Sequence, residues 1–184
     1  MIQLPQDLGN GYVLEEMTIE EFNAVYTSRQ EEYFKTSLIV DVTSHLSTAE
    51  QHQAQQRRTA FPAAWRMQWA VMQGGGIVGW TYAYQQDHET LYMCNTAIDP
   101  AHRRKGLYTS ILRIVLDYAR ANGFQIVTSK HYASNNAVIV PKLKAGFIIS
   151  GMALDEKYGL MIHLTKYLHP QREAIAINRI GETR

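Results

Sequence analysis

Apolar and polar residues alternate along several stretches of the chain, and in two places the repeat lengthens to that of a helix. Trp65, Met67, Trp69 and Val71 lie two apart with Arg66, Gln68 and Ala70 between them, which predicts a half-buried strand. Gly74-Gly75-Gly76 then offers a turn that tolerates positive φ. A second strand carries Val78, Trp80, Tyr82 and Tyr84 on one face. Asp87-His88-Glu89 marks another turn, and residues 90–98 read as the next strand, completing an antiparallel meander. Upstream, residues 12–17 predict a first strand. Thr18, with Glu21 three residues on, forms a capping box that opens a helix to about Arg29. Residues 30–60 are rich in Gln, Glu, Ser and Thr and predict further helix with loops; helical character over 41–56 is weak, and Pro62 closes the region.

The second half is more regular. Leu107, Ile111, Leu112, Ile114, Val115 and Ala119 form an apolar stripe at helical spacing. Arg120 suits the negative end of that helix, and Gly123 is placed to terminate it. Residues 125–131 predict a strand. Ser134 and Asn135 can cap a helix over 136–145, where the ring of Pro141 should clash with the Ala137 carbonyl and kink the chain. Residues 147–154 and 160–167 form a final hairpin around Asp155-Glu156-Lys157-Tyr158-Gly159. The tail over 168–184 is left open: residues 174–177 either dock or stay loose, and a homodimer in which the tail crosses a neighbour is one arrangement. The expectation is one domain over 1–184 of the α/β (α+β) class. Its central sheet is mixed and mostly antiparallel, with about seven strands and helices on both faces. The strand-helix-strand unit over 90–131 should cross over right-handed.

Composition narrows the function classes. The 184 residues carry 18 Lys+Arg against 17 Asp+Glu, a net charge of +1 that gives no global pull toward nucleic acid or membrane. The single cysteine, Cys94, rules out an intrachain disulfide and fits a reducing compartment. The N-terminus lacks the basic and apolar regions of a signal peptide, and no apolar run approaches the ~20 residues that span a bilayer, so a cytoplasmic location is expected. The seven histidines show no metal-ligand spacing, so no metal is expected.

Positive charge is concentrated instead in one loop, Pro100-Ala101-His102-Arg103-Arg104-Lys105-Gly106, which joins the strand at 90–98 to the long helix. Unpaired N–H groups at a helix start, with the macrodipole behind them, bind anions. Gly106 lets the backbone approach closely. Arg and Lys oppose the dipole at a helix start, so a merely solvated basic turn would be an unfavourable placement. The expected guest is a phosphate or pyrophosphate.

Two segments resemble the GNAT superfamily of acyl-CoA-dependent N-acyltransferases over residues 10–167. Arg103-Arg104-Lys105-Gly106-Leu107-Tyr108 resembles its pyrophosphate motif, Arg/Gln-x-x-Gly-x-Gly/Ala, and is preceded by the typical Thr96-Ala97-Ile98-Asp99-Pro100. Asn135 to Phe147 echoes its second motif, Asn-x-x-Ala-x-x-x-Tyr-x-x-x-Gly-Phe. The sequence departs from both: Tyr108 replaces the small residue, and Lys142 falls where the family's general-acid tyrosine stands, so no acid is carried over.

The resemblance implies an N-acetyltransferase that moves an acetyl group from acetyl-CoA, as co-substrate, to a primary amine of a small molecule or peptide in a ternary complex. It implies a sheet splayed between the fourth and fifth strands, and N–H groups from Arg104 through Gly106, Leu107 and Tyr108 to Thr109 around the pyrophosphate. Arg103, Arg104 and Lys105 would offset its charge. Backbone groups near Asn95, Ala97 and Ile98 would pair with the pantetheine arm, and Asn135, Asn136 and Lys142 would complete the coenzyme site.

Amine acylation needs a base and an acid. His131, Glu89 and Tyr92 are candidate bases, with His88 behind them. His131 ends a strand beside the expected splay with an ordinary pKa suited to the task, or it is a hydrogen-bonded strand-end residue. Glu89 is alternatively a solvated turn carboxylate, and Tyr92 a packing residue. Tyr132 or Tyr108 could protonate the leaving thiolate. Cys94 reads as structural. Tyr33 and Phe34, with some of the sheet aromatics, could line the acceptor pocket, and the lack of an acidic run disfavours a polycationic acceptor. The rival readings are a non-catalytic acyl-CoA-binding sensor of the same fold and, last, a module for another phosphate ligand.

Overall fold

The computed structural model describes residues 3–34, 41, 43–60, 64–179 and 181. The strands are β1 (Gln6–Gly9), β2 (Tyr12–Glu16), β3 (Arg66–Gln73), β4 (Gly76–Gln85), β5 (Thr90–Ile98), β6 (Ile126–Tyr132), β7 (Ile148–Asp155) and β8 (Gly159–Tyr167). They form one sheet in the order β1-β2-β3-β4-β5-β6-β8-β7. Every neighbouring pair is antiparallel except β5 and β6, which are parallel and joined by the helix α3 (Leu107–Ala121). The eighth strand, against about seven expected, is β1. Its sequence, Gln-Asp-Leu-Gly, has a single apolar side chain and no repeat to read.

α1 (Ile19–Tyr33) starts at the expected capping box: Glu21 N donates to Thr18 Oγ1 (3.1 Å) and Thr18 N to Glu21 Oε2 (2.8 Å). It runs one turn past Arg29. α2 (Thr48–Ala60) lies within the expected helical region and is almost wholly exposed; residues 35–40 and Pro62 of that region lie outside the described residues. α4 (Asn136–Lys144) continues past Pro141, and α5 (Pro170–Arg179) forms from the tail, with proline at its first position, where a missing N–H is harmless.

Helices cover both faces. On one, α1 packs Phe22 and Tyr33 against Trp80, Ala70 and Ala97. On the other, α3 buries Leu107, Ile111, Leu112, Ile114, Val115, Leu116 and Ala119 against a core that includes Trp69, Val71, Leu91, Val127 and Leu164. Each large aliphatic side chain of that stripe contributes about 1.5–3 kcal/mol of burial, which fixes the start of α3 against the end of β5. Gly79 on β4 is required by close approach: a Cβ there would sit 2.5 Å from the Ala97 carbonyl oxygen.

Candidate active site at the splayed strands

The parallel ladder between β5 and β6 is short. It pairs Thr90 with Ile126, Leu91 with Val127 and Tyr92 with Thr128, and ends there although β5 runs on to Ile98 and β6 to Tyr132. The closed end is knotted by the Glu89 carbonyl, which accepts from Gln125 N (2.8 Å) and Ile126 N (3.2 Å). On its other side β5 stays paired with β4, through a bulge that leaves Cys94 without a register partner. From Met93 to Ile98, β5 therefore shows β6 a strand edge with no ladder partner. The expected splay lies here.

At the open end β5 passes into the basic loop. Asp99 caps the short 3-10 turn Pro100–His102 by accepting from Ala101 N (2.9 Å). Arg104 adopts φ 62° and Gly106 φ 78°, a left-handed pair that turns the chain into α3. Gly106 is the N-cap and offers no side-chain cap, and a Cβ on it would meet nothing within 4 Å, so the backbone at the helix start stands in open space. The three cations are used differently. Arg103 Nε donates to the Ile98 carbonyl (2.8 Å), bracing the loop. Lys105 Nζ donates to Tyr12 Oη (2.8 Å), which in turn bonds His102 Nδ1 (2.8 Å). Arg104 is exposed and makes no hydrogen bond to the described residues.

A cleft of about 310 Å³ opens between the diverging strands. Its walls are β5 from Tyr92 to Thr96, β6 from Lys130 to Tyr132, Tyr108 at the start of α3, and Asn135, Val138 and Lys142 of α4. Tyr26 of α1, Phe34 at its C-cap, and Asp155, Tyr158 and Met161 of the β7–β8 hairpin close the far side. Lys142 is 1 % exposed, and its Nζ donates to Ser129 Oγ (2.7 Å), which lies 3.0 Å from His131 Nε2. Burial pushes the Lys142 ammonium down to about 7. Burial, then the neighbouring Lys142, pushes His131 down to about 3. Burial raises Tyr92, Tyr108 and Cys94, which stay protonated at neutral pH.

The family model of the GNAT acetyltransferases matches residues 22–147, more than half of the chain. The chain belongs to the GNAT acetyltransferase family. No curated relative matches it by sequence. Among solved structures it is similar to yncA from Salmonella typhimurium bound to acetyl-CoA (15% identity, TM-score 0.62, covering 86% of this chain and 94% of the other). It is also similar to the spermidine N-acetyltransferase of Vibrio cholerae in complex with CoA and spermine (11%, 0.63, 87% and 97%). A third is the ribosomal-protein-S18-alanine N-acetyltransferase of Escherichia coli (15%, 0.62, 85% and 94%). At these identities the likeness shows the GNAT fold.

Within that fold, His131, Tyr92, Tyr132, Tyr108, Asn135 and Lys142 meet at the cleft. Asn136 is exposed beside it on the first turn of α4. Three of the candidate residues sit in settings that the sequence did not disclose. Glu89 does not line the cleft: its carboxylate is held by Arg172 of α5 (2.8 and 3.1 Å), which also keeps it ionised below its ordinary range. His131 does not keep the pKa of a free imidazole. Lys142 lines the cleft with its nitrogen buried on Ser129. His88 is exposed at its turn, and Tyr33 is buried by stacking on Trp80 (5.0 Å), so Phe34 alone of the early pair reaches the cleft. Sequence reasoning missed Ser129, Tyr26, Tyr158 and Asp155. Ser129 was readable, since two residues before His131 on a strand means the same face. The other three come from elements distant in the chain.

Among the described residues no cluster of His, Cys, Asp or Glu is arranged to hold a metal, and no helix is long and apolar enough to cross a membrane.

Proposed function

We propose that this GNAT protein moves an acetyl group from acetyl-CoA directly to a primary amine of a small molecule or peptide, in a ternary complex. The observation that carries the reading is the unpaired β5 edge running from a basic left-handed loop into an aromatic cleft. A diphosphate fits the loop, where the N–H groups from Arg104 to Thr109 line the open start of α3 and the free guanidinium of Arg104 meets the charge. An amide-bearing arm fits the edge at Ala97 and Ile98 as an added strand. The thioester then reaches the cleft beside His131.

Direct attack is favoured over an acyl-enzyme. Cys94 is raised by burial, and its Sγ has Asn95 Nδ2 as its hydrogen-bonding neighbour (3.8 Å), with no base bonded to it among the described residues. The solved relatives that act on spermidine and on a protein alanine keep both small-molecule and peptide acceptors in view.

The test is thiol release from acetyl-CoA across a panel of primary amines, amino acids and peptides. Turnover with at least one is expected. Acetyl-CoA binding with no turnover on any would replace the enzyme by a coenzyme sensor. Calorimetry with ATP in place of coenzyme A checks the loop, and equal affinity would overturn the assignment.

A further inference from the structure

We propose that Lys142, Ser129 and His131 form a proton relay, which takes a proton from the attacking amine and returns it to the leaving sulfur, given the acetyl transfer proposed above on which it rests. Ser129 and His131 share a face of β6 because they lie two apart on a strand. α4 lays Lys142 on that face, so Nζ, Oγ and Nε2 stand in a row at 2.7 and 3.0 Å. The inner end is sealed, with Lys142 and Ser129 each 1 % exposed. The outer end is the His131 ring, which lines the cleft and whose Nδ1 makes no hydrogen bond to the described residues.

A buried ammonium without a counter-ion is costly, and among the described residues nothing around Lys142 offsets it fully. Its other contacts are Met93 Sδ of β5 (3.5 Å) and the ring of Phe147 after α4 (4.6 Å). His131 is the titratable group that faces it. The cleft carboxylate, Asp155 at the end of β7, is engaged by the N–H groups of Lys157 (2.9 Å) and Tyr158 (3.0 Å), and Lys130, on the cleft wall, is exposed. A cation retained under these conditions needs a use.

The row has two complete hydrogen-bond patterns. With Lys142 charged, Nζ–H donates to Ser129, the Ser129 hydroxyl donates to Nε2, and the ring proton sits on Nδ1, facing the cleft. With Lys142 neutral, Nε2–H donates to Ser129, the hydroxyl donates to the Nζ lone pair, and Nδ1 presents a bare acceptor. As the amine nitrogen bonds to the thioester carbonyl carbon, its proton goes to Nδ1, the Nε2 proton to Oγ and the Oγ proton to Nζ. When the carbon–sulfur bond breaks, each proton steps back and Nδ1–H passes to sulfur. Atoms and charge balance, and the relay ends as it began. His131 never carries two protons, in keeping with its depressed pKa of about 3, and Lys142 near 7 is matched to store one at neutral pH.

The test pairs a spectroscopic readout with turnover. In protein with 15N-labelled histidine, His131 should stay neutral from about pH 5 to 9 while its tautomer changes from Nδ1–H to Nε2–H with a midpoint near 7. Lys142→Met and Ser129→Ala should each fix the tautomer. With an amine from the panel, both variants should lose roughly 100-fold or more in kcat while the KM for acetyl-CoA holds. The wild-type rise of kcat through pH 7 should vanish in Lys142→Met. A His131 that titrates to imidazolium near its ordinary pKa, a tautomer indifferent to pH, or an undiminished kcat in either variant overturns the relay alone. Absence of wild-type turnover on every amine overturns acetyl transfer, and the relay with it.

Discussion

Replacing Lys142 by methionine isolates the cost of burying its charge. The ammonium falls from its ordinary 10.5 to about 7 in the folded chain. At about 1.4 kcal/mol per tenfold change, that is about 5 kcal/mol of destabilisation where the lysine is charged in both the folded and the unfolded state. The sign follows from proton counts. Between pH 7 and 10.5 the unfolded state binds the extra proton, so wild-type stability rises with pH across that window. The cost is full below pH 7 and gone above 10.5. From pH 6 to 9 the wild type should gain roughly 3 kcal/mol relative to Lys142→Met. Other groups titrate there too, so the quantity to compare is the difference between the two proteins. Lost contacts with Ser129 and Phe147 set the absolute level of the variant without changing the slope. Urea unfolding at intervals over that range measures it. Parallel curves would show that Lys142 keeps an ordinary pKa and refute the reasoning.

Three further outcomes are expected. Arg104→Ala with Lys105→Ala should raise the KM for acetyl-CoA roughly tenfold, the worth of one charge-assisted hydrogen bond, with kcat nearly unchanged; an unchanged KM would remove the loop from coenzyme binding. Gly79→Ala puts a methyl 2.5 Å from the Ala97 oxygen and 2.9 Å from Ile98 Cδ1, and should cost about 1–3 kcal/mol in urea unfolding; wild-type stability would show that β4 and β5 are not in this close contact. Glu89→Gln should keep kcat, because its carboxylate faces Arg172 and lies outside the cleft; a drop of tenfold or more would restore it as a base.

What the sequence disclosed followed the range of the interactions involved. The loop from Asp99 to Gly106 and the apolar stripe of α3 are local, so their residue types state their geometry. The capping box at Thr18 is legible for the same reason. β1 escaped because four residues with one apolar side chain are made a strand by β2, not by their own pattern. α5 escaped because its anchor, Arg172 on Glu89, spans 83 positions. His131 could be named from its place at a strand end, but its basicity could not, since that depends first on its burial in the folded chain and then on a lysine brought in from α4. Lys142 could be placed at the coenzyme site by resemblance, but its burial could not be read. Only the packing of α4 on β6 turns it inward.

Glu89 illustrates what the closed end of the wedge controls. Its carbonyl collects two N–H groups from the entry to β6, and its carboxylate is gripped by the C-terminal helix. The aperture between the strands is therefore riveted at its apex by a residue that does not line the cleft. The strands diverge from that apex, so the C-terminal helix is fastened at the hinge side of the wedge, outside the lining of the cleft.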